Sequence, residues 1–184
     1  MKTLKVLALG VALLAGAAGA QAQGNGANAN RRTEVGAWFG SAVPEVCNVP
    51  QQAGGCPPRV VMLPEFNADG TMVATDNGSF FDGHLMGQGN WTDARGNNGI
   101  KATFMWLQPA GQQTPAGVFR VRLLGQLDRG DNDTMHGTIE PFFTPFGQDG
   151  LPVTDALVSP LPACTLVNGC LGKFAFEVNR IPTE

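Results

Sequence analysis

Apolar and polar side chains alternate along residues 118–127. Phe119, Val121, Leu123 and Leu127, with Gly125, fall on one side; Arg120, Arg122 and Gln126 fall on the other. A period of two sends successive side chains to opposite faces of an extended chain, so this stretch predicts a strand with one buried and one wet face. The polar run from Asp128 to Asp133 predicts a turn. Residues 135–143 then resume the alternation, with Met135, Ile139 and Phe143 on one face and His136, Thr138 and Glu140 on the other. Together they predict a β-hairpin. A turn centred near Asp131 sets Arg122 opposite Glu140 and Gln126 opposite His136.

Further strands are predicted over residues 35–43, 59–66, 71–75, 87–92, 100–107 and 172–180. Asn67-Ala68-Asp69-Gly70 and the Gly/Asn-rich run 93–99 supply turns. No stretch carries a helical stripe of useful length, and 25 glycines and 13 prolines punctuate the chain too often for one. About eight strands joined mostly by short turns predict an all-β fold, an antiparallel up-and-down β-barrel, with a β-sandwich as the alternative. One connection, 144–169, is long, and a loop of that size is expected to act as a lid or rim element.

The N-terminal pattern differs. Lys2 and Lys5 precede an uncharged apolar run, residues 6–15, and both Ala18-Gly19-Ala20 and Ala20-Gln21-Ala22 fit an A-x-A cleavage site. Residues 1–22 are therefore expected to be a secretory signal, 23–32 a flexible arm, and 33–184 one barrel domain. The expected location is secreted or periplasmic. The apolar run is short for a membrane span and no second one follows, so no transmembrane helix is expected in the mature chain. Without Lys2 and Lys5 the net charge of −3 becomes −5. That balance, with no cluster of Lys and Arg, disfavours nucleic acid as a partner. The four cysteines, Cys47, Cys56, Cys164 and Cys170, suggest two disulfides in an exported chain. Three connectivities are possible, and the local pairing is the simplest. Their spacing is poor for a zinc site.

Gly36-Ala37-Trp38 opens the first predicted strand and Arg180 stands near the end of the last. A G-x-W with a basic residue from the far end of the chain resembles the lipocalin-like (calycin) barrels. The chain also resembles bacterial secreted barrels of undefined activity, which share an F-x-x-D-G-T turn, here Phe66 to Thr71, followed by Gly87-Gln88-Gly89-Asn90-Trp91. The first resemblance implies a barrel closed at one end, with Arg180 packed over Trp38, and one small hydrophobic ligand inside.

Candidate chemistry is sparse. His84 beside Asp82 could act as a base, although a solvated loop is the simpler reading; His136 falls on a wet face. Asp128, Asp131 and Asp133 with Asn132 could bind Ca²⁺, but a hairpin turn explains them better. Arg120, Arg122, Glu140 and His136 are expected to form an outward charged ladder. No G-x-S-x-G or H-E-x-x-H occurs, no catalytic residue is assigned, and neither a cofactor nor a metal is expected. Trp38, Trp91, Trp106 and Phe104 are the aromatic candidates for a cavity wall, with Trp38 assigned to the basal core. The expected ligand-binding set is Phe104, Trp106, Phe119 and Phe143. The favoured function is binding of a small hydrophobic molecule. The alternatives are a barrel enzyme of the cyclase or isomerase type, and a structural or surface protein without a ligand.

Overall fold

The computed structural model describes residues 34–51, 54–77, 86–94, 99–110, 116–131, 133–147, 159–165 and 167–182. The expected signal and arm, and the pair Asp82 and His84, lie outside these. Eight antiparallel strands close in chain order into a barrel. They are β1 (Gly36–Cys47), β2 (Val60–Phe66), β3 (Thr71–Asp76), β4 (Gly87–Ala94), β5 (Gly99–Gln108), β6 (Gly117–Leu127), β7 (Thr134–Pro145) and β8 (Gly172–Arg180). The sandwich alternative is excluded by the β1–β8 pairing, which runs from Trp38 opposite Arg180 to Cys47 opposite Gly172. Its register shifts between Pro44 and Val46, where proline lacks the N–H a regular ladder needs. The β6–β7 hairpin has the register its alternation predicts: Arg122 pairs with Glu140 and Gln126 with His136.

The turn that follows β2 shows why its sequence takes this form. Asp69 Oδ1 accepts hydrogen bonds from the Thr71 amide (2.9 Å) and the Thr71 hydroxyl (2.6 Å). These bonds hold the Asp69 carboxyl below its usual pKa. Gly70 adopts φ of 85°, which a side chain would resist. The turn docks on β4, because Trp91 Nε1 donates to the Asn67 carbonyl (2.9 Å) and the Trp91 amide to that of Gly70 (2.8 Å). The F-x-x-D-G-T segment and the later tryptophan are thus one structural device.

One end of the barrel is packed solid. Trp38, Phe66, Met72, Ile100, Leu127, Met135 and Val178 point inward there and are each at most 1% exposed. Trp38 Nε1 donates to the Glu34 carbonyl (3.0 Å), and the Arg180 guanidinium lies 4.4 Å from the centroid of the Trp38 ring. Arg180 also donates from Nη1 to the Val35 carbonyl (2.6 Å) and from Nε to Asp133 Oδ1 (3.1 Å). The arginine therefore caps the base by a cation–π contact and ties three segments together.

Burial beside this cap, reinforced by Asp93 and opposed by the Glu34 backbone and Arg180, pushes the Glu34 carboxyl above its usual pKa. The folded chain then holds this proton more tightly than the unfolded chain, so stability falls as pH rises from the unfolded pKa through the raised folded one. Glu34→Gln is accordingly expected to raise the melting temperature at neutral pH, with the gain shrinking in mild acid. Thermal melts across that range check it. A gain that grows in acid would contradict the assignment.

Both disulfides take the local pairing, Cys47 with Cys56 and Cys164 with Cys170. Such bonds fit a compartment that oxidises thiols. Among the described residues no helix is long and apolar enough to cross a membrane. The long connection does not behave simply as a rim. Part of it crosses the outer face of β6 and β7, where Arg120 Nη2 donates to the Ser159 carbonyl (2.6 Å) and Arg122 Nη1 to that of Leu161 (3.1 Å). Val118, Arg120 and Phe142 point away from the barrel interior, yet are buried on this side. Arg122 Nε also donates to Glu140 Oε2 (2.8 Å). The charged ladder faces outward as expected, but half of it is covered rather than solvated.

Candidate functional site

The other end of the barrel is hollow. Even positions of β5 and odd positions of β6 point inward, which brings Phe104, Trp106, Phe119 and Val121 to one wall. Met62 on β2, Ala74 on β3, Ile139 on β7 and Phe174 on β8 complete it. The space they enclose is about 610 Å³. Val49, Cys56 and Pro57 from the β1–β2 connection and Leu171, the residue just before β8, form the upper lining. The rim is polar, with Arg59, Thr75, Asp76 and Asn77. Asn77 Oδ1 accepts from the Val61 amide (3.0 Å), and Arg59 Nη1 donates to the Ser41 hydroxyl (3.4 Å).

The four aromatic residues predicted as the site meet in a continuous row. Ring centroids of Phe104 and Trp106 lie 5.9 Å apart, those of Trp106 and Phe119 5.0 Å, and those of Phe119 and Phe143 4.9 Å. Phe104, Trp106 and Phe119 line the hollow; Phe143 extends the row behind Phe119. Phe104 is buried, whereas Trp106, Phe119 and Phe143 remain half-buried. Trp91 is not part of this wall. Its ring packs edge-on against Phe66, 5.7 Å away, toward the closed end. Trp38 is basal, as expected.

The row depends on a residue that alternation does not single out. Gly87 faces the rings, and a Cβ there would stand 2.8 Å from Phe104 Cδ2 and 3.3 Å from Trp106 Cε3. The rings lie on bare backbone at this point. The signal in the sequence is faint: an inward β4 position that carries no side chain beside two aromatic positions of β5. The loop residues Val49, Pro57 and Leu171 carry no periodic signal at all.

The polar candidates lie elsewhere. His136 Nδ1 stands 2.7 Å from Asp128 Oδ1 on the outer surface. Asp131 accepts from the Asp133 amide and the Thr134 hydroxyl (2.8 Å each), bonds that draw its carboxyl below the usual pKa. These carboxylates serve the turn and its ion pairs. A second hollow, about 820 Å³, lies mainly on the outside of β3–β5 beside Gln88, Asn90, Thr92, Lys101 and Thr103. It is more polar than the interior one and does not converge on an apolar centre.

Fold and hollow together define a closed eight-stranded antiparallel barrel, solid at one end and open inside at the other. Comparison of the chain with protein-family models, curated proteins and solved structures gives no match.

Proposed function

We propose that this protein binds one small hydrophobic molecule in the hollow end of its barrel, as lipocalin-like barrels do, and that it works as a secreted or periplasmic carrier. The observation that supports this most is the cavity itself. Its volume of about 610 Å³ falls within the roughly 300–1,000 Å³ typical of small-molecule sites, and its wall is apolar with a few polar groups at the rim. An enzymatic reading would favour an acid or base projecting over the bound molecule. Among the described residues no histidine lines the hollow, and the lining acid Asp76 stands at the end of β3, at the rim.

Ala74→Phe is the direct test. Ala74 is 6% exposed and faces the cavity from β3. A phenyl ring there occupies the space a ligand would take. Titration with an anilinonaphthalene probe should give one saturable site in the parent protein. The variant should lose at least about tenfold in affinity, equivalent to about 1.4 kcal/mol. Equal affinity in a folded variant would place the probe elsewhere and remove the support for the hollow as the site.

A further inference from the structure

The outer face of the barrel carries its apolar side chains unevenly. Outward positions of β4 and β7 are largely polar, with Gln88, Asn90 and Thr92 on the first and His136, Thr138 and Glu140 on the second. On the outer side of β1 and β2, by contrast, Phe39 is 54% exposed, and Val43 and Leu63 are exposed beside it. Single apolar residues on a surface are ordinary, whereas an adjoining group marks a contact surface.

The pattern on this face is self-complementary. Along the outer side of β2, Arg59, Val61, Leu63 and Glu65 recur at every second residue: a cation, two apolar residues, an anion. Arg59 stands just ahead of the strand, and its bond to the Ser41 hydroxyl turns it toward the outer side of β1. A second copy laid face to face, related by a twofold axis that crosses the strands level with Met62, sets the two β2 strands antiparallel. Arg59 then faces Glu65 of the second copy, and Leu63 faces Val61. The register of β1 on β2, with Ala37 opposite Glu65 and Ser41 opposite Val61, carries the same relation to the neighbouring strand. Phe39 faces Ser41 there, and Val43 faces Ala37. On β8, Glu177 lies level with Ser41 and Asn179 with Phe39, so Glu177 meets an amide rather than a second carboxylate. Each larger apolar side chain thus meets a smaller residue, and each charge meets its opposite. A closed twofold contact requires such a patch, in which each residue's counterpart meets it in return.

We propose that this protein pairs with a second copy of itself, face to face across the outer sides of β1 and β2, with the two β2 strands antiparallel. The apolar centre supplies the attraction, and the two Arg59–Glu65 contacts at its ends fix register more than they add affinity. Arg59 to Glu65 spans about 20 Å at the rise of a strand, a small patch for a stable complex, so the dimer is weak and reversible rather than obligate. The hollow lies inside the barrel and this face outside it, so the pairing does not depend on the carrier reading.

Sedimentation velocity of the purified protein from about 1 to 500 µM, a range that spans weak association, is the test. The mass is expected to rise with concentration from that of one chain toward that of two. Arg59→Glu and Glu65→Arg should each weaken the association at least about tenfold by setting like charges face to face. An equimolar mixture of these two variants should restore it, because every cation then meets a carboxylate of the other copy. Phe39→Ser should weaken it without any change of charge, which keeps the proposal testable should a charge variant fail to fold. A parent protein that stays monomeric throughout, charge variants that associate as the parent does, or a mixture that associates no better than its components would each overturn the proposal. A monomeric parent that sediments with phosphatidylcholine vesicles would assign the face to a lipid surface instead.

Discussion

Replacing Trp38 with alanine is expected to destabilise the protein by about 3–5 kcal/mol, the usual cost of emptying a large aromatic site in a core. Trp38 is fully buried, and three interactions converge on it. Its ring fills the closed end, its Nε1 donates to the Glu34 carbonyl, and its face receives Arg180. Alanine leaves a cavity, an acceptor without this donor, and a guanidinium without its aromatic platform. Arg180 retains Val35 and Asp133, so the last strand should not detach. Urea unfolding followed by circular dichroism measures the loss. Because Trp38 belongs to the packed end, the probe affinity of the folded fraction should stay at the parent value. A loss below about 1 kcal/mol would mean the base is not the cornerstone of the core.

Removal of both disulfides should have a comparable effect, but at the opposite end. The bonded cysteines are separated by 9 and 6 residues, and closing loops this short contributes about 2–3 kcal/mol each in the chain-entropy account. The two bonds are not independent. Asn48, next to Cys47, donates from its side chain to the Cys170 carbonyl (3.1 Å) and from its amide to that of Leu171 (2.9 Å). Contacts shared in this way make effects non-additive. The variant with all four cysteines as alanine should therefore lose about 4–6 kcal/mol, with the excess or shortfall over the two single-bond variants reporting the coupling. Cys56 and Leu171 also line the hollow, so probe affinity should fall together with stability. Reductant should shift the parent protein's urea midpoint toward that of the variant and leave the variant unmoved. A midpoint indifferent to reductant would contradict the placement of these bonds as staples of the mouth.

The strands were legible because a side-chain period of two is a local property. It fixed the pairing of Arg122 with Glu140 and put Phe119, Val121 and Leu123 inside. The same rule gathered Phe104, Trp106, Phe119 and Phe143 on inward faces, where the structure places them in one row. Alternation distinguishes inside from outside, but it does not say which end of a barrel is filled. That depends on side-chain volume summed around a layer, and on positions such as Gly87 that contribute none. Trp91 illustrates the gap: it is as aromatic as Trp106 but sits beside Phe66, toward the filled end. The covering of Arg120 and Arg122 was illegible for another reason. It comes from residues 159–161, in a connection with no periodicity, held by backbone carbonyls whose partners any sequence could supply.

Native mass spectrometry of the protein purified from its own host tests most directly whether the hollow carries a small molecule. The expected result is a protein mass accompanied by one bound small molecule, released on activation, whose removal changes tryptophan emission and whose return restores it. A clean mass of the protein alone, with no fluorescence response to a panel of apolar compounds, would contradict the carrier reading and leave a barrel whose role is structural.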